Sequence, residues 1–312
     1  MQTTLNDLTV VFLSILLEAL PFVLLGSLIA SAISLFVSDA LLFRFIPKNR
    51  IAGLFTASLL GIIFPVCDCT VVPVIRRLVR KGLPPSLAVT FMCAVPIVNP
   101  AVIASTSWAF AAQPRMIWLR MIVGVSSAVA AGLAVGKLTR ESDPLLADRN
   151  PAVHTHDGCP CEHDHGGTES GEGKASSRVQ HFLTHATAEF VNNAALISLG
   201  ALLSAVIQIL VPRTIMYPVG ASPAASVAVM MGFTWLLSLC SNADAFVAKS
   251  FYGLFTAGSV MAFMTFGQMI DLKNTVMMLG FFKKRFIVIT TIVIAAACFS
   301  WGLAINILGI AR

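Results

Sequence analysis

Apolar residues run along the chain in long blocks separated by short polar punctuation, at 8–37, 51–66, 83–112, 116–136, 186–211, 214–239, 245–270 and 286–311. Most of these blocks exceed the ~20 residues that a helix rising about 1.5 Å per residue needs to cross bilayer hydrocarbon. They lack the two-residue alternation, in segments of roughly 10 residues, that a membrane β-barrel requires. The pattern predicts an all-α, polytopic membrane protein with about eight membrane-embedded helical segments. The first block is too long for a signal peptide, lacks a basic leader and carries no small-residue cleavage site, so it is expected to remain as a span.

A hydrophilic segment at about 139–180 interrupts the pattern and opens with "TRESDPLLADRNP", a run of charge and proline foreign to a membrane helix. It divides the chain into a first membrane repeat, 1–138, and a second, 181–312. An offset near 173 sets Cys67 on Cys240, Ser86 on Ser259 and Arg76 on Lys249, and one residue more sets Gly26 on Gly200. Both halves share an order of segments: a long first span, a Gly-rich second, a Cys-bearing interruption and a long final span. A duplicated unit with broken or re-entrant helices is expected.

The interruptions carry the chemistry. In "FPVCDCTVVPVIRRLVRKG", residues 64–82, Pro65 should end the helix begun near Ile51. Thr70 can cap a new helix with Pro73 in its first turn, running to Gly82 with Arg76, Arg77, Arg80 and Lys81 near its negative end. Cys67, Asp68 and Cys69 are then left between two half-helices. Unwound backbone at membrane depth is tolerated only inside protein or beside a water-filled cavity, so a site is implied. An ionised Asp there costs about 2.5–3.5 kcal/mol on insertion scales and asks for a cation, a proton or a paired partner. The half-helix N-terminus favours negative charge, thiolate included, and sulfur selects Cu(I), Zn(II) or a thiophilic metalloid. The plainer alternative has the cysteines packing and Asp68 paired with a following basic residue.

A second unwinding is expected in "AVPIVNPAV", where Pro96 and Pro100 flank Asn99, which either offers its amide to a substrate or caps the next helix. The second half offers Cys240, Ser241, Asn242 and Asp244 in "SLCSNADAFVAKS", and Gln268 and Asp271 in "FGQMID". The candidate substrate site is Cys67, Asp68, Cys69, Asn99, Cys240, Asn242, Asp244 and Asp271, with Cys67 and Cys69 as metal ligands. Glu18, Glu189, Asn192 and Asn193 add intramembrane polarity, whereas Cys93 and Cys298 lie in apolar runs and read as packing.

Composition agrees: 57% of residues are hydrophobic, 12% are charged and the mean hydropathy is +0.85. Seven cysteines in 312 residues make no disulfide framework. The formal charge of +6 sits beside apolar blocks, where it reports topology and not affinity for nucleic acid. Arg44, Lys48 and Arg50 claim the cytoplasmic side, and so does the cluster from Arg76 to Lys81. A re-entrant hairpin through 51–81 satisfies both and makes the repeats inverted, whereas four full spans per half make them parallel. Arg115 and Arg120 are read against Lys137 and Arg140 in the same way.

The hydrophilic segment holds "HTHDGCPCEHDH", where His154, His156, Cys159, Cys161, His163 and His165 lack the spacing of a closed zinc site. They predict a flexible chelating tract for a transition-metal ion in the reducing cytoplasm, and no other cofactor is expected. No phosphate-binding G-x-x-x-x-G-K-[ST] loop is visible, so an ion gradient or a partner subunit must supply any energy.

The block "PVCDCTVVPVIRRLVRKGLPPSLAVTFMCAVPIVNP" resembles the signature of a predicted bacterial permease family that includes ArsP-type organoarsenical efflux permeases, and is more distantly similar to a branch described as Cu/Zn efflux transporters. The resemblance covers nearly the whole hydrophobic chain and implies efflux of a soft metal or trivalent arsenical on cysteine thiols, here Cys67 and Cys69. This chain differs from the Cu/Zn branch in carrying Asp68 between its thiols and "PIVNP" downstream. The expected protein is a non-enzymatic permease of the bacterial inner membrane, in contact with lipid and with a metal or metalloid substrate, acting as a homo-oligomer or with a partner subunit. An organic-anion transporter, using the half-helix N-terminus for a carboxylate or phosphate, and a membrane thiol redox protein are the alternatives from other classes.

Overall fold

The computed structural model describes residues 6–17, 19–21, 24, 28, 49–63, 68–139, 144–146, 184, 187, 190–191, 193–206 and 222–310. After helical residues 6–17 come α1 (Arg50–Ile63), α2 (Asp68–Arg80), α3 (Pro85–Val98), α4 (Pro100–Ala109) and α5 (Arg115–Leu138). The later part contains α6 (Asn193–Val206), α7 (Pro223–Leu237), α8 (Asp244–Phe251), α9 (Ala257–Met269), α10 (Leu272–Phe281) and α11 (Lys284–Leu308). The protein is all-α.

Among the described residues, only α5 and α11 are each long and apolar enough to cross a membrane alone, at 24 and 25 residues. At about 1.5 Å per residue each reaches past the roughly 30 Å of hydrocarbon. The pair α3 and α4 passes the same test together but bends by 44° at Asn99. Pro100 removes a helical donor there, and the Asn99 side chain accepts from Ala101 N at 3.0 Å to restart the helix. Pro96, by contrast, lies inside α3 without ending it. Ile51, Phe55, Leu59 and Ile62 follow one exposed face of α1, as Val288 and Ile292 do on α11. Stripes of that kind suit lipid and not water.

The direction of each helix follows from its close contacts. Gly61, near the end of α1, lies against Val95 and Val98, near the end of α3, while Leu54 and the α3 residues Ser86 and Thr90 meet at Gly132 of α5. Helices α1 and α3 therefore run parallel. Helix α2 returns to where α1 began, turning through Gly82 at φ 91° into α3. The later half repeats the arrangement. Ser226 and Ser259, at the starts of α7 and α9, share a 2.7 Å hydrogen bond, and Gly267 meets Thr234 near their ends. Helices α5 and α11 are antiparallel. Met116 clusters with Ile305 at one end, and Lys283 N donates to Pro144 O at 2.8 Å at the other.

The two in-and-out pairs, α1 with α2 and α7 with α8, thus enter the bundle from opposite ends. Their returning legs cross-pack, α2 on α10 and α8 on α4. Arg76 of α2 lies over the Phe281 ring at 4.4 Å, and Lys249 of α8 over Phe110 at 5.1 Å. Both basic residues sit on aromatics at the ends of the half-helices they cross. This arrangement sets the tips of both returning legs in the interior.

Candidate functional site at the meeting of the half-helices

Helix α2 starts at Asp68, two residues before the cap expected at Thr70, so Asp68 and Cys69 belong to its first turn and do not lie between half-helices. A carboxylate is itself a favourable first-turn residue, since it faces the orphan N–H groups of the helix start. Thr70 is instead a buried helical residue. Cys67 lies outside the described residues, as do Glu18, Glu189, Asn192 and the whole His154, His156, Cys159, Cys161, His163, His165 tract. Cys69 is placed only by its backbone.

Asp68 is buried to 1% exposure and meets residues of the later half of the chain. Ser241 Oγ, at the other hairpin tip, donates to its Oδ1 at 3.4 Å. These two residues are 173 apart, the offset that aligns Cys67 with Cys240. On its other side Lys273 Nζ lies 3.6 Å from Asp68 Oδ2 and 3.6 Å from Asp271 Oδ2. Asp271 caps α10, its Oδ1 accepting from Asn274 N at 2.7 Å. Lys273 is fixed at its own backbone by an N–H donated to Ser238 Oγ at 3.3 Å, and Gly200 of α6 leaves room for its Cα. One ammonium is thus shared by two carboxylates, at distances that make ion pairs and not tight hydrogen bonds.

A second buried cluster holds Asp244, in the first turn of α8. Its Oδ2 accepts from Arg120 Nη2 at 2.7 Å and from Gln268 Nε2 at 2.8 Å. Arg120 also donates to Thr106 Oγ1 at 2.6 Å and to Met264 O at 3.3 Å, so it ties α4, α5, α8 and α9 together. At 2% exposure it is no marker of an interface; it is the largest of the fully buried side chains. Sequence reading assigned Arg120 to topology because charge near a helix end usually reports sidedness. Its five-residue depth in an apolar helix was the available signal.

The two clusters are linked through short stretches of backbone: Ser241 to Asp244, and Gln268 to Asp271. Around them Asn242 Oδ1, Asp244 Oδ1, Gln268 Oε1, Asp271 Oδ2 and Asn274 Oδ1 have no hydrogen-bond partner among the described residues, and neither does the donor Arg120 Nε. A buried acceptor without a partner favours a donor or a cation. Cys240 precedes this region, half-buried and in no disulfide. Asn99 stands apart: its side chain is engaged in capping α4, with no bond to Asp68, Asp244 or Asp271. Sequence reading also missed Lys273, whose signal was a lysine two residues after Asp271 in an apolar setting. Cys93 and Cys298 are fully buried, as expected of packing cysteines.

Residues 4–307 match a family model, ArsP_1, described as a predicted permease. The chain is 36% identical over 295 residues to the UPF0718 protein YcgR of Bacillus subtilis, covering 94% of this chain and 95% of that protein. It is 33% identical over 277 residues to a putative two-component membrane permease complex subunit of Streptococcus mutans, covering 89% and 87% respectively. No solved structure matches the chain significantly. An all-α bundle with lipid-suited outer faces and two helix-tip clusters buried inside it suits a membrane permease, and the chain belongs to the ArsP_1 family of predicted permeases.

Proposed function

We propose that this permease exports a thiophilic metal or metalloid, Zn(II), Cu(I) or a trivalent arsenical, from the cytoplasm across the bacterial inner membrane. The observation that carries the reading is Asp68. It lies buried where the two hairpin tips meet, is flanked in sequence by Cys67 and Cys69, and stands opposite a second carboxylate, Asp271. Carboxylates and thiols together demand positive charge and prefer a soft ion. The two halves read as one duplicated unit in inverted orientation, with the cargo held at their shared axis and exposed to each side in turn.

Sidedness follows from charge. Arg76, Arg77, Arg80, Lys81, Lys137, Lys283, Lys284 and Arg285 all belong to the end of the bundle where α2 and α5 finish and α11 starts. Lys and Arg gather on the cytoplasmic side, so this end faces the cytoplasm. The hydrophilic loop leaves the bundle there, with Leu145 bridged to Phe282, and the composition of its histidine and cysteine tract suits it to collecting metal for the site. The Streptococcus relative is named as a subunit of a two-component complex. A second membrane subunit is accordingly the proposed protein partner. A free anion is a poorer cargo, because the starts of α2, α8 and α10 already carry Asp68, Asp244 and the cap Asp271.

The test is resistance. In cells lacking other exporters, replacing Cys67 and Cys69 together by serine should abolish tolerance to the exported metal or arsenical, while deletion of 154–165 should reduce it less. Unchanged tolerance at normal membrane abundance refutes the thiol role.

A further inference from the structure

We infer that Asp68 and Asp271 form a cation-binding site whose resting occupant is the protein's own Lys273, and that cargo binds by displacing this ammonium. The inference rests on the export reading for the identity of the cargo, but the site itself stands on geometry. Lys273 Nζ is equidistant, at 3.6 Å, from carboxylates contributed by different repeats, and all three side chains are at least 96% buried.

Three physical facts set this ammonium apart from a structural salt bridge. Its position is the first. Lys273 is the second residue of α10, where the positive end of the helix dipole repels an ammonium, so it is held there by carboxylates: the cap Asp271 of its own helix and Asp68 of the other half. Charge count is the second: Lys273 brings a single positive charge to two carboxylates. A divalent cation between the carboxylates makes that pair neutral. Reach is the third, because a lysine carries its charge on a flexible four-carbon stem and can withdraw it while the backbone stays fixed by Ser238.

These facts give the site a release step. Once cargo is seated, the displaced ammonium is held at an unfavourable helix end and competes to return. Its return expels the cargo and leaves the hairpin tips joined across the repeats. Lys273 then acts as a tethered counter-ion, which lets the empty carrier reset without two bare carboxylates in the membrane interior.

The test uses the full chain in lipid nanodiscs. Lys273→Ala should melt below the wild type. Ethylammonium, a free copy of the missing group, should restore most of the difference, and the bulkier tetramethylammonium at equal ionic strength should not. The double variant Asp68→Asn with Lys273→Ala should show no ethylammonium effect. Zn(II), used as the metal probe, should bind Lys273→Ala at least about tenfold more tightly than wild type, since the internal competitor is gone. No ethylammonium response overturns the inference, and so does equal or weaker Zn(II) binding in a Lys273→Ala chain with Cys67 and Cys69 intact. An ethylammonium response in a chain that binds no thiophilic metal keeps the cation site and overturns the export reading instead. If Lys273→Ala does not fold, reductive methylation of the wild type decides: Zn(II) should increase labelling of Lys273, read by peptide mass spectrometry, and no increase overturns the inference.

Discussion

The two buried ion clusters answer the same problem in opposite ways. Each places a carboxylate in the first turn of a returning half-helix, Asp68 on α2 and Asp244 on α8, and each pairs it with a base from the other half of the chain. Asp244 is closed. One guanidinium meets one carboxylate at 2.7 Å, and Gln268, Thr106 and the Met264 carbonyl hold the two in place. Asp68 is open, sharing one ammonium with Asp271 at 3.6 Å. Arg is planar, permanently charged and oriented by several bonds, whereas Lys is a mobile point charge. A charge-balanced, rigid cluster suits a fulcrum that keeps the halves in register. One in which a single ammonium is shared by two carboxylates at 3.6 Å suits a site that must exchange its occupant.

The comparison breaks most easily at Arg120. Arg120→Met leaves Asp244 uncompensated in the interior and should destabilise the fold by about 3–5 kcal/mol, seen as a large loss of folded protein in detergent and a lower unfolding midpoint. Adding Asp244→Leu should recover much of that stability, because a neutral apolar pair carries no desolvation cost. If Arg120→Met instead folded normally and lost only transport, the closed cluster would be part of the moving machinery and the contrast would fail.

Why one cluster was legible in sequence and the other was not follows from where their parts lie. Asp68, Asp271 and Asn99 sit beside prolines or at the ends of apolar blocks, and backbone breaks of that kind leave local marks. The basic clusters left two topologies open, a hairpin through 51–81 and four full spans per half, and α1 and α2 run as an in-and-out pair. Its tip was misplaced by two residues, since Asp68 competes with Thr70 for the helix start and single-residue boundaries depend on such near-equal choices. Arg120 and Lys273 left weaker marks. Their partners are 124 and 205 positions away, and which distant carboxylate a charge meets is decided by packing and not by its neighbours in sequence. The histidine and cysteine tract of the loop lies outside the described residues, so its role rests on sequence alone.

A smaller effect is expected where the scaffold, and not the charge, brings the clusters together. Gly132 of α5 lies where a Cβ would come within 2.6 Å of Ser86 O and closer still to Thr90 Oγ1. Helices α5 and α3 can approach only because that carbon is missing, as small residues allow in membrane bundles. Gly132→Val should cost about 1–3 kcal/mol by overpacking and lower the unfolding midpoint. Asp68 and Lys273 lie on other helices, so the affinity for Zn(II) in the protein that remains folded should change little. A large loss of affinity would mean that the open cluster depends on α5 as much as the closed one does.

The smallest effect sharpens the contrast at Asn99, a candidate ligand by sequence and a helix cap by structure. Its side chain accepts from Ala101 N at 3.0 Å, at the break where α3 bends by 44° into α4, and α4 carries Thr106 to Arg120. As a cap, Asn99→Ala should cost about 0.5–2 kcal/mol, and Asn99→Asp or Asn99→Ser should restore most of it, since either supplies an oxygen to the same N–H. Cap loss acts on the orientation of α4, hence on the closed cluster, and leaves the carboxylates that take the cation untouched. Stability should therefore fall while metal affinity holds. Asn99→Ser is the decisive variant, because it keeps the cap and removes the amide: unaltered transport assigns Asn99 to the fulcrum side of the molecule, whereas a transport defect at full stability moves it into the cargo path.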